Sequence, residues 1–178
     1  MKKVVIDGQS LTIDKVLEVA RFGAEVVISE EAAIKVEKAR QFVDELVDSK
    51  KVVYGITTGF GKFSDVVISK DETKDLQRNL IISHACGVGN PFSEEIARAI
   101  MLLRVNNLSK GHSGVRPVTI QTLVDMLNKG VNPIIPEKGS LGASGDLAPL
   151  SHMVLVMIGL GEATFKGERM SGAEAMKQ

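Results

Sequence analysis

Apolar residues recur along most of this chain at spacings of three and four, the period of an amphipathic helix, and glycine-rich connectors separate the periodic stretches. Thr12 to Phe22 carries apolar residues at 13, 16, 17 and 20, with Gly23 placed as a C-terminal cap. A longer helix is predicted to start at the capping residue Ser29. Glu30 and Glu31 fill its first turn, where the helix dipole favours negative charge, and Val36, Ala39, Val43, Leu46 and Val47 form its apolar face. Ser93, followed by Glu94 and Glu95, opens another helix, with Ile96, Ile100 and Leu103 predicted to be buried. Pro117 suits the first turn of the next, which Gly130 stops. A further helix begins over Asp146 to Pro149, and Gly159 and Gly161 break its apolar stretch of 150–158. Strand signals are sparse: Val4 to Ile6 before the turn pair Asp7-Gly8, and a small hairpin over Ala163 to Met170 around Lys166-Gly167. Ser171, with Glu174 at capping-box spacing, starts one more helix. No strand–helix–strand alternation, repeat or low-complexity segment is visible. The pattern predicts a mainly α chain with small β pieces and no internal domain boundary.

Composition narrows the function. Lys and Arg total 22 against 22 Asp and Glu, so no global charge favours nucleic acid or an anionic membrane. There is no basic arm, no Trp and a single Tyr, which leaves no aromatic-plus-basic surface for stacking bases. The one cysteine, Cys86, excludes an internal disulfide and fits a reducing cytoplasm. The amino terminus is basic but soon meets Asp7 and lacks the long apolar stretch of a signal peptide. The longest apolar run, Met153 to Leu160, is far short of the roughly 20 residues a membrane helix needs. A cytoplasmic protein with no nucleic-acid or membrane partner is expected.

Candidate chemistry centres on Ala143-Ser144-Gly145. Three small residues offer little obstruction, so the backbone can fold back and bring the amide nitrogen of Gly145 to the carbonyl carbon of Ala143. Attack there closes a ring, and loss of two waters, one carrying off the Ser144 hydroxyl, leaves an exocyclic methylidene. The product is a methylidene-imidazolone, an electrophile made from the backbone; the plain alternative is a Gly/Ser turn before a helix. Competing signatures fail on spacing. Gly55 to Lys62 superficially suggests a phosphate loop, but five residues separate Gly55 from Gly61, and Phe63 stands where the hydroxyl is required. Gly142-Ala143-Ser144-Gly145-Asp146 misses the nucleophile elbow because Asp146 fills the last glycine position. His84 and Cys86 have no paired partner at metal-ligand spacing, so no metal is expected.

The full string Gly-Ser-Leu-Gly-Ala-Ser-Gly-Asp-Leu-Ala-Pro-Leu-Ser-His, residues 139 to 152, resembles the cofactor-forming signature of the histidine and phenylalanine ammonia-lyase family. Val53-Tyr54-Gly55-Ile56-Thr57-Thr58-Gly59-Phe60-Gly61 resembles that family's tyrosine-bearing inner loop. Gln77-Arg78-Asn79-Leu80 through Ser83-His84-Ala85-Cys86-Gly87-Val88-Gly89 is similar to its substrate-selecting helix end. A further likeness runs from Asn106-Asn107-Leu108 to Gly111-His112-Ser113-Gly114-Val115-Arg116-Pro117.

The resemblance implies the amino-terminal part of the helical ammonia-lyase fold, which is aspartase/fumarase-like. It implies a prosthetic group formed autocatalytically from Ala143, Ser144 and Gly145, with no external cofactor. Tyr54 becomes the base that takes the β-proton; an ordinary phenol titrates at about 10, so this requires a stabilised phenolate. Asp146 becomes a promoter of ring closure, a helix cap being the equal alternative. Ser83-His84 stands where aromatic-specific relatives tend to carry Phe-Leu or His-Leu, and it resembles the histidine-specific branch, in which this side chain helps to bind an imidazole. Elimination of ammonia from L-histidine to give urocanate is the implied reaction, by a homotetramer when complete. Three rivals remain: a tyrosine or phenylalanine lyase or aminomutase, a non-catalytic fragment that assembles with a second chain, and, remotely, a serine hydrolase. His112 is expected to be structural and His152 to be core. The helix begun at Ser171 has barely one turn before Gln178. Residues 1–178 are therefore expected to be the incomplete amino-terminal portion of a longer lyase, inactive without its carboxy-terminal remainder.

Overall fold

The computed structural model describes residues 2–49, 51–58 and 70–178, with side chains from 75 onward in the last stretch. Gly59, Phe60 and Gly61 of the tyrosine loop, and the Lys62-Phe63 pair that excluded a phosphate loop, lie outside the described residues.

Helices dominate, and capping explains where they start. β1 (Lys3–Ile6) leads into α1 (Ile13–Ala20), capped by Thr12, and β2 (Glu25–Ile28) leads into α2 (Glu30–Asp48), capped by the Ser29 hydroxyl at 3.1 Å from the Ala32 N–H. α3 (Lys70–His84) is followed by β3 (Val88–Pro91), and α4 (Glu94–Leu108) by α5 (Pro117–Lys129). Pro117 occupies the first turn of α5, and Gly130 closes it in the left-handed conformation. β4 (Val131–Pro133), β5 (Pro136–Lys138) and α6 (Leu147–Met157) come next. β6 (Glu162–Phe165) and β7 (Glu168–Ser171) form the expected hairpin, with Lys166 and Gly167 both at positive φ, the backbone a two-residue hairpin turn requires. α7 (Gly172–Ala175) starts at the expected Ser171–Glu174 capping box.

Among the described residues, three small sheets sit between these helices. β1 and β2 pair in parallel, Lys3 opposite Glu25 through Ile6 opposite Ile28, so β1-α1-β2 is a strand–helix–strand unit, contrary to the expectation of none. The sequence hid it because each strand has only four residues. β4 joins the hairpin as a third antiparallel strand, and β3 pairs antiparallel with β5. These pairings link segments distant in sequence.

The core runs along α4, against α1 on one side and α5 on the other. Its buried stripe is Ala97, Met101, Leu102, Val105 and Leu108, whereas Ile96 and Leu103, predicted to be buried, are 43% and 52% exposed. The helix is apolar around most of its circumference, so spacing alone does not select the buried face. The half-buried Arg98 guanidinium ties the three helices together. It donates to the Val19 carbonyl at 2.9 Å and to the Leu127 carbonyl at 2.9 Å, satisfying carbonyls in the last turns of α1 and α5. Burial lowers its pKa from the usual arginine value.

Candidate active site

The Ala143-Ser144-Gly145 loop hangs between β5 and α6. It leaves β5 at Gly139, where a Cβ would stand 2.8 Å from the Gly87 Cα, so only glycine fits this crossing of two backbones. The loop is closed on itself by the Ser140 hydroxyl, which donates to the Gly145 carbonyl. Gly145 adopts φ +71, and a Cβ there would meet the Ser140 Oγ at 2.9 Å. Leu141 at the rim is 86% exposed. Ala143 and Ser144 are exposed as well. The turn then enters α6 with Asp146 at its N-cap position, so the positive end of the helix faces Ser144 and Gly145.

Asp146 itself makes no side-chain capping hydrogen bond; only its carbonyl is used, accepting from the Leu150 N–H at 3.0 Å. The capping alternative is therefore not realised.

Ser144, Gly145 and Asp146 line a cavity of about 490 Å³, together with Gly87, Arg104 and His152. His152 is not the core residue expected. It is half-buried, and its Nε2 accepts the Gly87 N–H at 2.9 Å. Burial pushes its imidazole below the ordinary histidine value. Sequence reasoning passed over Gly87 and Arg104 as cavity-lining residues. The available signal for His152 was a polar pair, Ser151-His152, interrupting an otherwise apolar helix.

Tyr54 and His84 do not line this cavity. Tyr54 begins a tight turn over 54–57 and is 63% exposed. Two threonines hold that turn. The Thr57 hydroxyl donates to the Lys51 carbonyl at 2.6 Å and accepts the Val53 N–H at 2.9 Å, while the buried Thr58 Oγ1 accepts the Gly55 N–H at 3.3 Å. His84 is the last residue of α3. Its Nδ1 lies 2.8 Å from the Leu80 carbonyl, which also accepts from the Ser83 hydroxyl at 2.9 Å. A carbonyl accepts only, so Nδ1 carries the proton and a neutral His84 keeps its Nε2 lone pair. His112 is exposed between α4 and α5. Among the described residues no group of three or more His, Cys, Asp or Glu could hold a metal ion, and no helix is long and apolar enough to cross a membrane.

Residues 11–178 match the family model for aromatic amino acid lyases. The chain belongs to the aromatic amino acid lyase family. It is 66% identical over 177 residues to the histidine ammonia-lyase of Alkaliphilus oremlandii, covering 99% of this chain and 35% of that protein. Its backbone matches ergothionase, the ergothioneine-degrading enzyme of Treponema denticola, with a TM-score of 0.94 at 36% identity, over 99% of this chain and 35% of that one. The histidine ammonia-lyase of Trypanosoma cruzi matches with a TM-score of 0.89 at 39% identity, over 98% and 34%. The mainly α architecture with small strands is thus that of these lyases. The chain spans about a third of the length of the relatives it matches.

Proposed function

We propose that these residues carry the electrophile and the base of an ammonia-lyase that converts L-histidine to urocanate and ammonia. One observation carries the reading: Ala143-Ser144-Gly145 forms an exposed, self-closed turn at the N-terminus of α6, in a chain 66% identical to a histidine ammonia-lyase.

The residues present suit a backbone-derived ring. The Gly145 amide nitrogen attacks the Ala143 carbonyl carbon, a C–N bond forms, and the Ala143 oxygen leaves as water with the Gly145 and Ser144 amide protons, which leaves a C=N bond to the Ser144 nitrogen. Elimination of the Ser144 hydroxyl with its Cα proton releases a second water and leaves the methylidene. The lack of a Cβ at Gly145 lets the Ser140 hydroxyl sit against it, and the contact holds the loop folded back. Asp146, whose carboxylate is not spent on capping, is the proposed promoter of closure. When formed, the methylidene-imidazolone supplies the electrophile that takes up the amino nitrogen as it departs.

The rest falls to side chains of this chain. The Tyr54 phenolate takes the β-proton, a general-base role, from a turn that Thr57 and Thr58 hold in place. The His84 Nε2 lone pair accepts from an imidazole N–H of the substrate, since Nδ1 is engaged by Leu80. The α6 N-terminus draws electron density from Ser144. Tyr54 and His84 lie outside the Ser144 cavity in this chain, which supports a site completed by the carboxy-terminal remainder or by further copies, as a homotetramer. Exposed Leu103, Val118 and Leu141 offer apolar surface for that association. The free thiol of Cys86 supports a cytoplasmic setting.

Intact mass and urocanate absorbance test the reading together. Joined to its carboxy-terminal remainder, the protein should weigh less than its sequence by two waters and should convert L-histidine, and Ser144→Ala should remove both properties; residues 1–178 alone should do neither. Full sequence mass with no urocanate from the joined protein would sink the proposal. Preferential turnover of tyrosine or phenylalanine would move the substrate assignment while keeping the ring.

A further inference from the structure

Three segments around the proposed chemistry meet at one point on the wall of the Ser144 cavity. Gly87 lies just past the end of α3, three residues after His84. Gly139 opens the stem of the Ser144 loop, and its own Cβ position is 2.8 Å from the Gly87 Cα and 3.5 Å from the Ala148 Cβ. His152, in the second turn of α6, accepts the Gly87 N–H on Nε2 at 2.9 Å. A Cβ on Gly87 would fall 3.0 Å from that same Nε2 and 3.2 Å from the Lys138 carbonyl, so the junction has no spare volume. An amide N–H can only donate, so His152 must be neutral with its proton on Nδ1.

We propose that His152 is a positioning residue for substrate binding: through the Gly87 N–H it fixes the His84-bearing end of α3 against the Ser144 loop. The proposal rests on the reading of His84 as a substrate contact. His152 shares the cavity lining with Ser144, but its Nε2 is engaged by the Gly87 N–H, so its loss acts on KM rather than on ring formation or the chemical step. Protonation at Nε2 would set a donor against a donor and release α3. Burial holds the imidazole below its ordinary value of 6.5, so the junction is intact at neutral pH and weakens as the pH falls below that value. The other charged or titratable groups around it are His84 and Cys86 beside Gly87, Glu137 and Lys138 on β5, Asp146 on the loop and Arg104 on α4.

Two variants, made in the protein joined to its carboxy-terminal remainder, separate the acceptor from the packing. His152→Leu fills space without accepting, while His152→Gln can place its Oε1 where Nε2 stood. With L-histidine, His152→Leu should raise KM about five- to tenfold, the effect of one lost hydrogen bond to a buried donor, while kcat and the near-ultraviolet absorbance of the ring are kept. His152→Gln should restore KM at neutral pH and reduce its rise in acid. The Gly87 amide proton, followed by nuclear magnetic resonance, should shift with pH in the wild type and not in His152→Gln. That readout needs no turnover, so a protein that makes no urocanate refutes the lyase reading while the junction is still decided. Wild-type KM in His152→Leu, a Gln variant as impaired as the Leu variant, or a non-titrating Gly87 amide would each overturn the proposal. An acid limb as large in His152→Gln as in the wild type belongs to His84 or another neighbouring group and also refutes it. Should His152→Leu not fold, the Gln variant and the Gly87 amide decide alone.

Discussion

Gly145→Ala tests the loop more sharply than deletion of Ser144, because it leaves every reacting atom in place. The alanine amide can still attack the Ala143 carbonyl, so only the conformation changes. Two costs follow from the geometry. Gly145 sits at φ +71, where an L-residue costs about 1–2 kcal/mol. The new Cβ would stand 2.9 Å from the Ser140 Oγ, so the hydroxyl must rotate away from the Gly145 carbonyl, losing a hydrogen bond worth roughly 1 kcal/mol. The sum, about 2–3 kcal/mol, lowers the population of the folded-back loop roughly 30- to 150-fold. Ring formation slows by the same factor if that population limits it. Ser140→Ala alone loses only the hydrogen bond and should slow closure about fivefold. In the double variant the clash is gone and only backbone strain is added, so the two effects should not sum: it should cyclise about as slowly as Gly145→Ala. Intact mass against time after synthesis measures each rate as the loss of two waters. Closure at the wild-type rate in Gly145→Ala, or strict additivity in the double variant, would refute the compressed-loop argument.

Tyr54→Phe removes only the phenolic hydroxyl, and kcat for L-histidine should fall about 10²- to 10⁴-fold, much more than folding or ring formation; an unchanged kcat removes Tyr54 from the mechanism. Replacing Ser83-His84 with Phe-Leu deletes the His84 Nδ1 anchor to Leu80 along with its Nε2 acceptor, and should weaken histidine against phenylalanine in competition assays by a factor of tens. Asp7 is lowered to about 2 because its carboxylate accepts the N–H groups of Ser10 and Gln9, both at 2.8 Å. A carboxylate with a depressed folded pKa stabilises above its ordinary value of 3.8 and loses that contribution as the pH falls through about 2, so Asp7→Asn should lower Tm near neutrality and converge with wild type in strong acid.

Local signals in the sequence were read well where one residue decides the geometry. Ser29, Ser93 and Ser171 each cap the helix assigned to them, Gly130 closes α5, and Lys166-Gly167 turns the hairpin. The Ala-Ser-Gly segment was legible as a turn into α6, since three small residues in a row let the backbone fold tightly. Faces were harder. α1 buries Val19 completely while Ile13, counted in its apolar stripe, is 81% exposed. α4 shifts its buried stripe by one residue from the predicted one. In both helices the apolar residues exceed what one face needs, and the neighbour that selects among them comes from elsewhere in the chain.

Pairings between distant segments left almost no trace, and the candidate site depends on them. β3 and β5 are short, polar and rich in glycine or proline, and neither alternates, yet their antiparallel pairing carries Gly87 to Gly139. Without that pairing the His84 helix end and the Ser144 loop would be separate features about fifty residues apart. His152 shows the consequence. Judged within its own helix it is one polar residue among aliphatic ones and reads as core. Judged against Gly87 it is an acceptor for a backbone donor that has no partner within its own segment, and its half-buried ring gains a specific task. The residues proposed for the chemistry are recognisable by type and local order. The residues that hold them together are recognisable only once the chain has closed on itself, because their partners are set by topology rather than by spacing.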